Sequence, residues 1–226
     1  MKKLQKNNTT KRIISLKRVF EITNLYKMTI TFIIGSQRIE SNSAKIANLI
    51  SQTFPADVIT NFIDLGKNPL PLWDEKVGSD NPKWQEILTP LQTQLEQSDG
   101  YVLISPEYNG CATPAIKNFL LLFPKPTLAH KPVLVVGVSS SLGGAYVISD
   151  LRANGYKNPR LIFVPDHLII RNASVLPTQI QDFGSSDTLL ADRIKYSTKI
   201  FLEYVKALKT MRQETTFDYE KFANGM

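Results

Sequence analysis

Nine residues at 35–43 read GSQRIESNS and follow a run of β-branched and apolar residues, TITFII at 29–34. Ser36, Ser41 and Ser43 carry hydroxyls, and Arg38 carries a permanent positive charge. The apolar spacing of Ala44, Ala47, Ile50 and Phe54 begins a helix directly afterwards. A helix N-terminus adds unpaired amides and a partial positive charge. That set suits a terminal phosphate monoester. It lacks the three glycines that let a backbone approach a pyrophosphate, and the lysine–hydroxyl pair of a magnesium–nucleotide loop. A plainer use is also open: Ser41 or Asn42 caps the helix and Arg38 is solvated.

A second stretch, SPEYNGCATPAIKN at 105–118, follows the apolar run GYVLIS at 100–105. Pro106 stiffens the backbone, and Asn109-Gly110 is turn chemistry that tolerates positive φ. Tyr108 offers a flat face to a ring, or is an ordinary rim aromatic. Glu107 beside it is a ligand contact or a solvated carboxylate. Lys117 has the plain reading of a charge on a helix face. Cys111 is the only cysteine, so an internal disulfide is excluded, and nothing in sequence marks it as reactive. The third stretch, GVSSSLGGA at 137–145, brings the hydroxyls of Ser139, Ser140 and Ser141 and the amides of Gly143 and Gly144. Those donors suit a carbonyl-rich ring system, or form a strand-to-helix turn with serine caps.

These stretches need elements that bring them to one place. Strand-like runs recur at 29–34, 57–65, 100–105, 132–138 and 160–170, the last interrupted at Pro165-Asp166. Helical signals fall after each: from 44, from Asn81-Pro82 to about 98 with a kink or break at Pro90, at 114–123, at 143–154 and at about 187–210. Uniformly apolar runs are what parallel strands covered on both faces require. The alternation predicts an α/β fold, a three-layer α/β/α sandwich around a five-stranded parallel sheet. In such sheets ligands sit beyond the carboxyl ends of the strands. The three stretches above follow the first, third and fourth strands.

Composition bounds the function. The 226 residues, 42% of them hydrophobic, suit one generous domain. The net charge of +7 resides in residues 1–27, where eight basic residues oppose Glu21 alone. The remainder is neutral, which argues against nucleic acid as a partner. No apolar run is long enough to span a bilayer, and a reducing cytoplasm is the expected compartment. The expected organisation is a basic extension at 1–27, a ligand-binding domain at 28–212 and a tail at 213–226, loose or packed on a partner. The extension is a disordered arm, a presequence, or upstream sequence before a natural start at Met28.

Together the three loops resemble the NADPH-dependent FMN reductase family of flavodoxin-like proteins. Gly35, Ser36, Arg38 and Ser41 match G-S-x-R-x-x-S, residues 105–109 match T/S-P-E-Y-N, and Lys117-Asn118 match a K-N pair. Gly137, Ser139, Gly143, Gly144, Ala145, Leu151 and Arg152 match a G-x-S…G-G-A pattern followed by leucine–arginine. The likeness runs from about 28 to 210. Ser43 stands where asparagine is common, and the third loop is one residue short.

The resemblance implies strand order 2-1-3-4-5. It implies FMN with its phosphate on Ser36, Arg38, Ser41 and Ser43. The ring would lie across Pro106, Glu107, Tyr108, Asn109 and Gly110, its pyrimidine end facing Ser139, Ser140, Ser141, Gly143 and Gly144. Hydride would pass from NADPH, or NADH, through FMN to a small-molecule acceptor: a quinone, azo compound, free flavin or oxidised metal. The family's habit is a homodimer or homotetramer, with flavin sites near subunit interfaces, where the NPLPLW loop at 68–73 is a candidate contributor. The cofactor carries the chemistry, so His130 and His167 read as structural, and no metal is called for. Two other readings remain: a one-electron carrier, which Arg38 and the neutral domain argue against, and a non-catalytic flavin-binding regulator.

Overall fold

The computed structural model describes residues 27–78, 80–123, 126–185 and 187–222; the basic extension up to residue 26 lies outside them. Five strands alternate with five helices: β1 (Thr29–Ile34), α1 (Asn42–Ser51), β2 (Ile59–Asp64), α2 (Pro82–Glu96), β3 (Gly100–Pro106), α3 (Pro114–Leu122), β4 (Pro132–Val138), α4 (Ala145–Asn154), β5 (Ile162–Ile170) and α5 (Thr188–Glu214). A short 3-10 turn, Ile180–Asp182, precedes α5. Every neighbouring pair is parallel, in the order β2-β1-β3-β4-β5, as expected.

Successive side chains of a strand point to opposite faces, and the two faces carry separate cores. Phe32, Ile34, Val102, Ile104 and Val136 pack under α1 and α5, against Ile46, Leu49, Ile50 and Phe201. Ile33, Tyr101, Leu103, Val133 and Val135 face Trp84, Leu95, Ile116, Phe119 and Val147 of α2, α3 and α4. Each fully buried large apolar side chain contributes roughly 1.5–3 kcal/mol. Both faces are therefore strongly covered, which leaves the carboxyl edge of the sheet as the exposed place for a ligand.

Local rules and tertiary context diverge at three places. Pro90 leaves α2 continuous. It lies on the solvent side, as does Glu86 one turn earlier, so the carbonyl that Pro90 cannot bond faces water. β5 continues through Pro165-Asp166 and absorbs them in a register shift opposite Val133 and Val135. An edge strand with a bulge tolerates proline. α5 reaches Glu214 instead of ending near 210.

The segment after α5 packs on its own chain. At the amino edge of the sheet Phe217 stacks on His130 with centroids 4.3 Å apart, and Tyr219 stacks on Phe217 at 5.7 Å. Arg160 lies over the Tyr219 ring and donates to the carbonyl of Phe222. Burial, then Arg160 and Arg212, hold His130 below its ordinary pKa. Next to it Lys131 is enclosed, donating to the carbonyls of Leu95 at 2.7 Å, Glu96 at 3.0 Å and Thr127 at 3.1 Å. Burial and then Arg212 push its pKa down to about 7, although Asp99 and Glu96 act the other way. The first two acceptors are the C-terminal carbonyls of α2, the negative end of that helix. Lys131 thus pins α2 to β4 far from the carboxyl edge.

Candidate functional site

β1, β3 and β4 are adjacent, and the loops that follow them meet at the carboxyl edge. The chain crosses from β1 to β2 on one side while β3 lies on the other, which makes the switch point where ligands bind in such sheets. Ser36 is buried there; its Oγ accepts from the amide of Arg38 at 3.2 Å and lies 3.4 Å from Tyr108 Oη. Ser41 caps α1, its Oγ accepting from the amide of Ala44 at 3.1 Å, which leaves the hydroxyl hydrogen to donate elsewhere. Arg38 is exposed and takes part in none of the ion pairs among the described residues.

Ser43 differs from the other two serines. It stands in the first turn of α1, is 1% exposed, and its Oγ has no hydrogen-bond partner. An unsatisfied buried hydroxyl costs about 1–3 kcal/mol. Its position at the positive end of a helix is one that an anion would satisfy. Three hydroxyls, the free amides of a helix start and one solvent-facing guanidinium fit the phosphate of FMN.

The second loop is shaped by its turn. The backbones of Tyr108 and Cys111 exchange two hydrogen bonds of 3.0 Å, and Asn109 and Gly110 have φ of +50° and +72°. Two successive positive φ values make the tight hairpin turn that asks for Asn-Gly. Tyr108 is thereby held half-buried, beside the half-buried Pro106 at the end of β3. Thr113 caps α3 and donates to the carbonyl of Gly35 at 2.6 Å, tying this loop to the first.

Glu107 has a use that its sequence context does not reveal. Its Oε2 accepts from the amide of Gly144 at 2.8 Å and of Tyr146 at 3.1 Å. The carboxylate therefore caps α4 from another loop, where the helix dipole favours negative charge. Gly144 has φ of +101°, and a Cβ on Gly137 would stand 2.1 Å from the Gly144 carbonyl oxygen. These two glycines let α4 start directly against the end of β4. Ser139 Oγ accepts from the amide of Ser141 at 3.1 Å, and Ser140 Oγ accepts from Asn42 Nδ2 at 3.1 Å, so the third loop is tied to α1. The site residues expected from sequence thus lie along one edge. Glu107 and the Gly144 amide are engaged with each other.

Sequence reasoning left one wall of the site open. A cavity of about 740 Å³ adjoins Tyr108 and is lined by Gln37, Leu72, Trp73, Lys117 and Leu121 among others, with no carboxylate. That volume is within the usual range for small-molecule sites. Trp73 is held there by Asn118, whose Oδ1 accepts from the Trp73 amide at 2.8 Å and whose Nδ2 donates to the carbonyl of Pro71 at 2.8 Å. The K-N pair and the NPLPLW stretch were the available signals, but they lie 45 residues apart and nothing local joins them. Lys117 pairs with Asp150 at 2.9 Å, and Asp150 also accepts from the Ala112 amide at 2.9 Å. Burial alone would raise the Asp150 pKa; the hydrogen bonds from Lys117, Ala112 and Asn154 outweigh it and hold the carboxyl below its usual range.

Known proteins resemble this chain in sequence and fold. The profile of a family described as NADPH-dependent FMN reductase matches residues 28–174, which take in all three loops. A 2-hydroxy-1,4-benzoquinone reductase from Burkholderia sp is 29% identical over 130 residues, 55% of this chain and 68% of that protein. A quinone reductase from Escherichia coli (strain K12) is 28% identical over 159 residues, 69% of this chain and 80% of that protein. Among solved structures FerB, a flavoenzyme NAD(P)H:(acceptor) oxidoreductase from Paracoccus denitrificans, shares the fold with a TM-score of 0.62 at 20% identity, over 80% of this chain and 98% of that one. With its sheet order, its three loops and a profile match over well more than half its length, the chain belongs to the NADPH-dependent FMN reductase family, as an oxidoreductase that uses FMN and NAD(P)H.

Proposed function

We propose that residues 28–212 form an FMN-binding domain that passes hydride from NADPH or NADH through FMN to a small acceptor, of which quinones are the first candidates and azo compounds, free flavins and oxidised metals the others. The observation that carries this reading is the unpaired Ser43 hydroxyl at the start of α1, one loop away from a carboxylate-free cavity beside Tyr108. FMN bound here supplies the acceptance and release of hydride. The chain's own residues bind, orient and shield. Ser36, Ser41 and Ser43 with Arg38 hold the phosphate. Pro106, Tyr108, Asn109 and Gly110 form the bed of the ring. Ser139, Ser140, Ser141 and Gly143 border its polar edge, where donors favour the more negative, reduced form. Glu107 acts at one remove, by holding Gly144 in place. Leu72, Trp73 and Leu121 supply an apolar wall that suits a flat acceptor and limits water.

Leu72 is 76% exposed and Leu121 is 59% exposed around the cavity mouth. An exposed apolar rim of that kind favours a covering copy of the chain, and a homodimer or homotetramer is part of the proposal. No helix among the described residues is long and apolar enough to cross a membrane, and a cytoplasmic location with no membrane partner is likewise proposed. The relatives' names, quinone reductase in two instances, support the acceptor class. Steady-state oxidation of NADPH with 1,4-benzoquinone tests the reading. Many turnovers per FMN-loaded protein are expected; a single stoichiometric reduction with no turnover would favour a carrier or a regulator instead.

A further inference from the structure

A fourth loop, the one after β5, reaches the start of α1. The chain turns at Asn172, whose φ is +49°, and lies back on the third loop. The Asn172 amide donates to the Ser141 carbonyl and the Ala173 amide to the Ser139 carbonyl, both at 3.0 Å. Asn42, the first residue of α1, fastens the two loops to that helix. Its Nδ2 donates to Ser140 Oγ at 3.1 Å and to Ser174 Oγ at 3.2 Å. Lys45, on the same helix face, donates to the carbonyls of Ser174 and Leu176, each at 3.1 Å. At the far end of the helix Gln52 donates to the Thr178 carbonyl at 3.0 Å and accepts from the Ile180 amide at 3.0 Å.

Ser174 is thereby held against the residue that separates Ser41 from Ser43. It is exposed, and its Oγ accepts from Asn42, which leaves the hydroxyl hydrogen to donate to a ligand. Ser43, next to Asn42, has the buried Oγ without a hydrogen-bond partner. Residues 171–180 include Arg171 and no acid, and the first turn of α1 has none either. The fourth loop and that turn therefore present donors and cations to an anion. A phosphate monoester, with its several acceptor oxygens, takes bonds from such donors together. We infer that Ser174 is a further phosphate-binding residue of the FMN site, contributed by the loop after β5 and positioned by Asn42 and Lys45. This rests on the reading that the FMN phosphate lies on Ser36, Arg38, Ser41 and Ser43. Ser174 then acts on the phosphate alone and leaves the ring to the second and third loops.

The test is flavin fluorescence quenching on titration of the flavin-free protein with FMN and with riboflavin, which has the same ring and ribityl chain but no phosphate. Wild type should bind FMN more tightly than riboflavin. Ser174→Ala should weaken FMN about five- to tenfold, less than the loss of an enclosed bond to a charged group. Ser174→Asp places a like charge beside the phosphate and should weaken FMN by more than about tenfold. Riboflavin should shift less than about twofold for either variant. Gln181→Glu adds the same charge just beyond the contact of Ile180 with Gln52, the length of α1 away, roughly 15 Å. It should leave FMN within about twofold, because exposed charges at that separation are screened. The inference is overturned if Ser174→Ala binds FMN as wild type does, if FMN and riboflavin weaken alike, or if Gln181→Glu weakens FMN as much as Ser174→Asp. A wild-type protein that binds FMN no better than riboflavin would instead remove the phosphate site itself, before any variant is compared.

Discussion

Replacing Glu107 with alanine should separate the second loop from the third. The carboxylate accepts from the Gly144 amide at 2.8 Å and the Tyr146 amide at 3.1 Å, at the N-terminus of α4. An enclosed hydrogen bond to a charged group contributes about 1.5–3 kcal/mol. Here Glu107 is half-buried and the Tyr146 contact is exposed, so the pair together contributes about 2–3 kcal/mol, helix dipole included. In a domain of this size 1 kcal/mol moves Tm by about 2–4 °C. The FMN-free Glu107→Ala protein should therefore melt about 4–12 °C below wild type. Glu107→Gln keeps an acceptor oxygen but not the charge, and should fall between them. The assay is thermal unfolding by circular dichroism without FMN, followed by titration with FMN. An FMN-free Tm within about 1 °C of wild type would refute the reasoning. If FMN affinity then fell nonetheless, the carboxylate would belong to the ligand and not to the loop.

Three further outcomes are expected. Arg38→Ala removes a charge-assisted contact worth about 1.5–3 kcal/mol, so FMN affinity measured by fluorescence quenching should fall roughly ten- to more than a hundredfold. Asn118→Ala breaks both hydrogen bonds that hold the Trp73 segment, costing about 1–3 kcal/mol, and should raise KM for benzoquinone several-fold while kcat changes less. Lys131 titrates at about 7 in the folded chain and at about 10.4 unfolded. Between those values the unfolded chain holds a proton that the folded chain does not, so this residue's contribution rises with pH, is complete above the unfolded value and is lost as pH falls to the folded one. Urea unfolding at about pH 7.5 and about pH 9.5 should show that rise in wild type and a smaller one in Lys131→Met.

The sheet was legible because parallel strands covered on both faces demand unbroken apolar runs, and 100–105 and 132–138 supply them. Asn81 was legible as a cap, and Ser41 as one of two candidates with Asn42, because a cap acts within one turn; Ser41 and Asn81 do the capping. What stayed hidden depends on distance along the chain. Glu107 caps a helix 37 residues away, so its partner exists only once β3 and β4 lie side by side. The Trp73 segment has no periodicity to read, and Asn118 gives it a place only through tertiary contact. Pro90 does not divide α2, and it stands with Glu86 on the solvent side of that helix, where a missing backbone hydrogen bond is tolerated. The tail's rings found His130 and Arg160 at the amino edge, a pairing that no sequence spacing announces.

The most direct test of the account is the visible absorption spectrum of the purified protein with added FMN, before and after anaerobic NADPH. The account predicts a bound-flavin spectrum that bleaches promptly. Failure to bind FMN would contradict the phosphate site built on Ser36, Arg38, Ser41 and Ser43, and bound flavin that NADPH leaves unbleached would contradict the oxidoreductase reading of the cavity beside Tyr108.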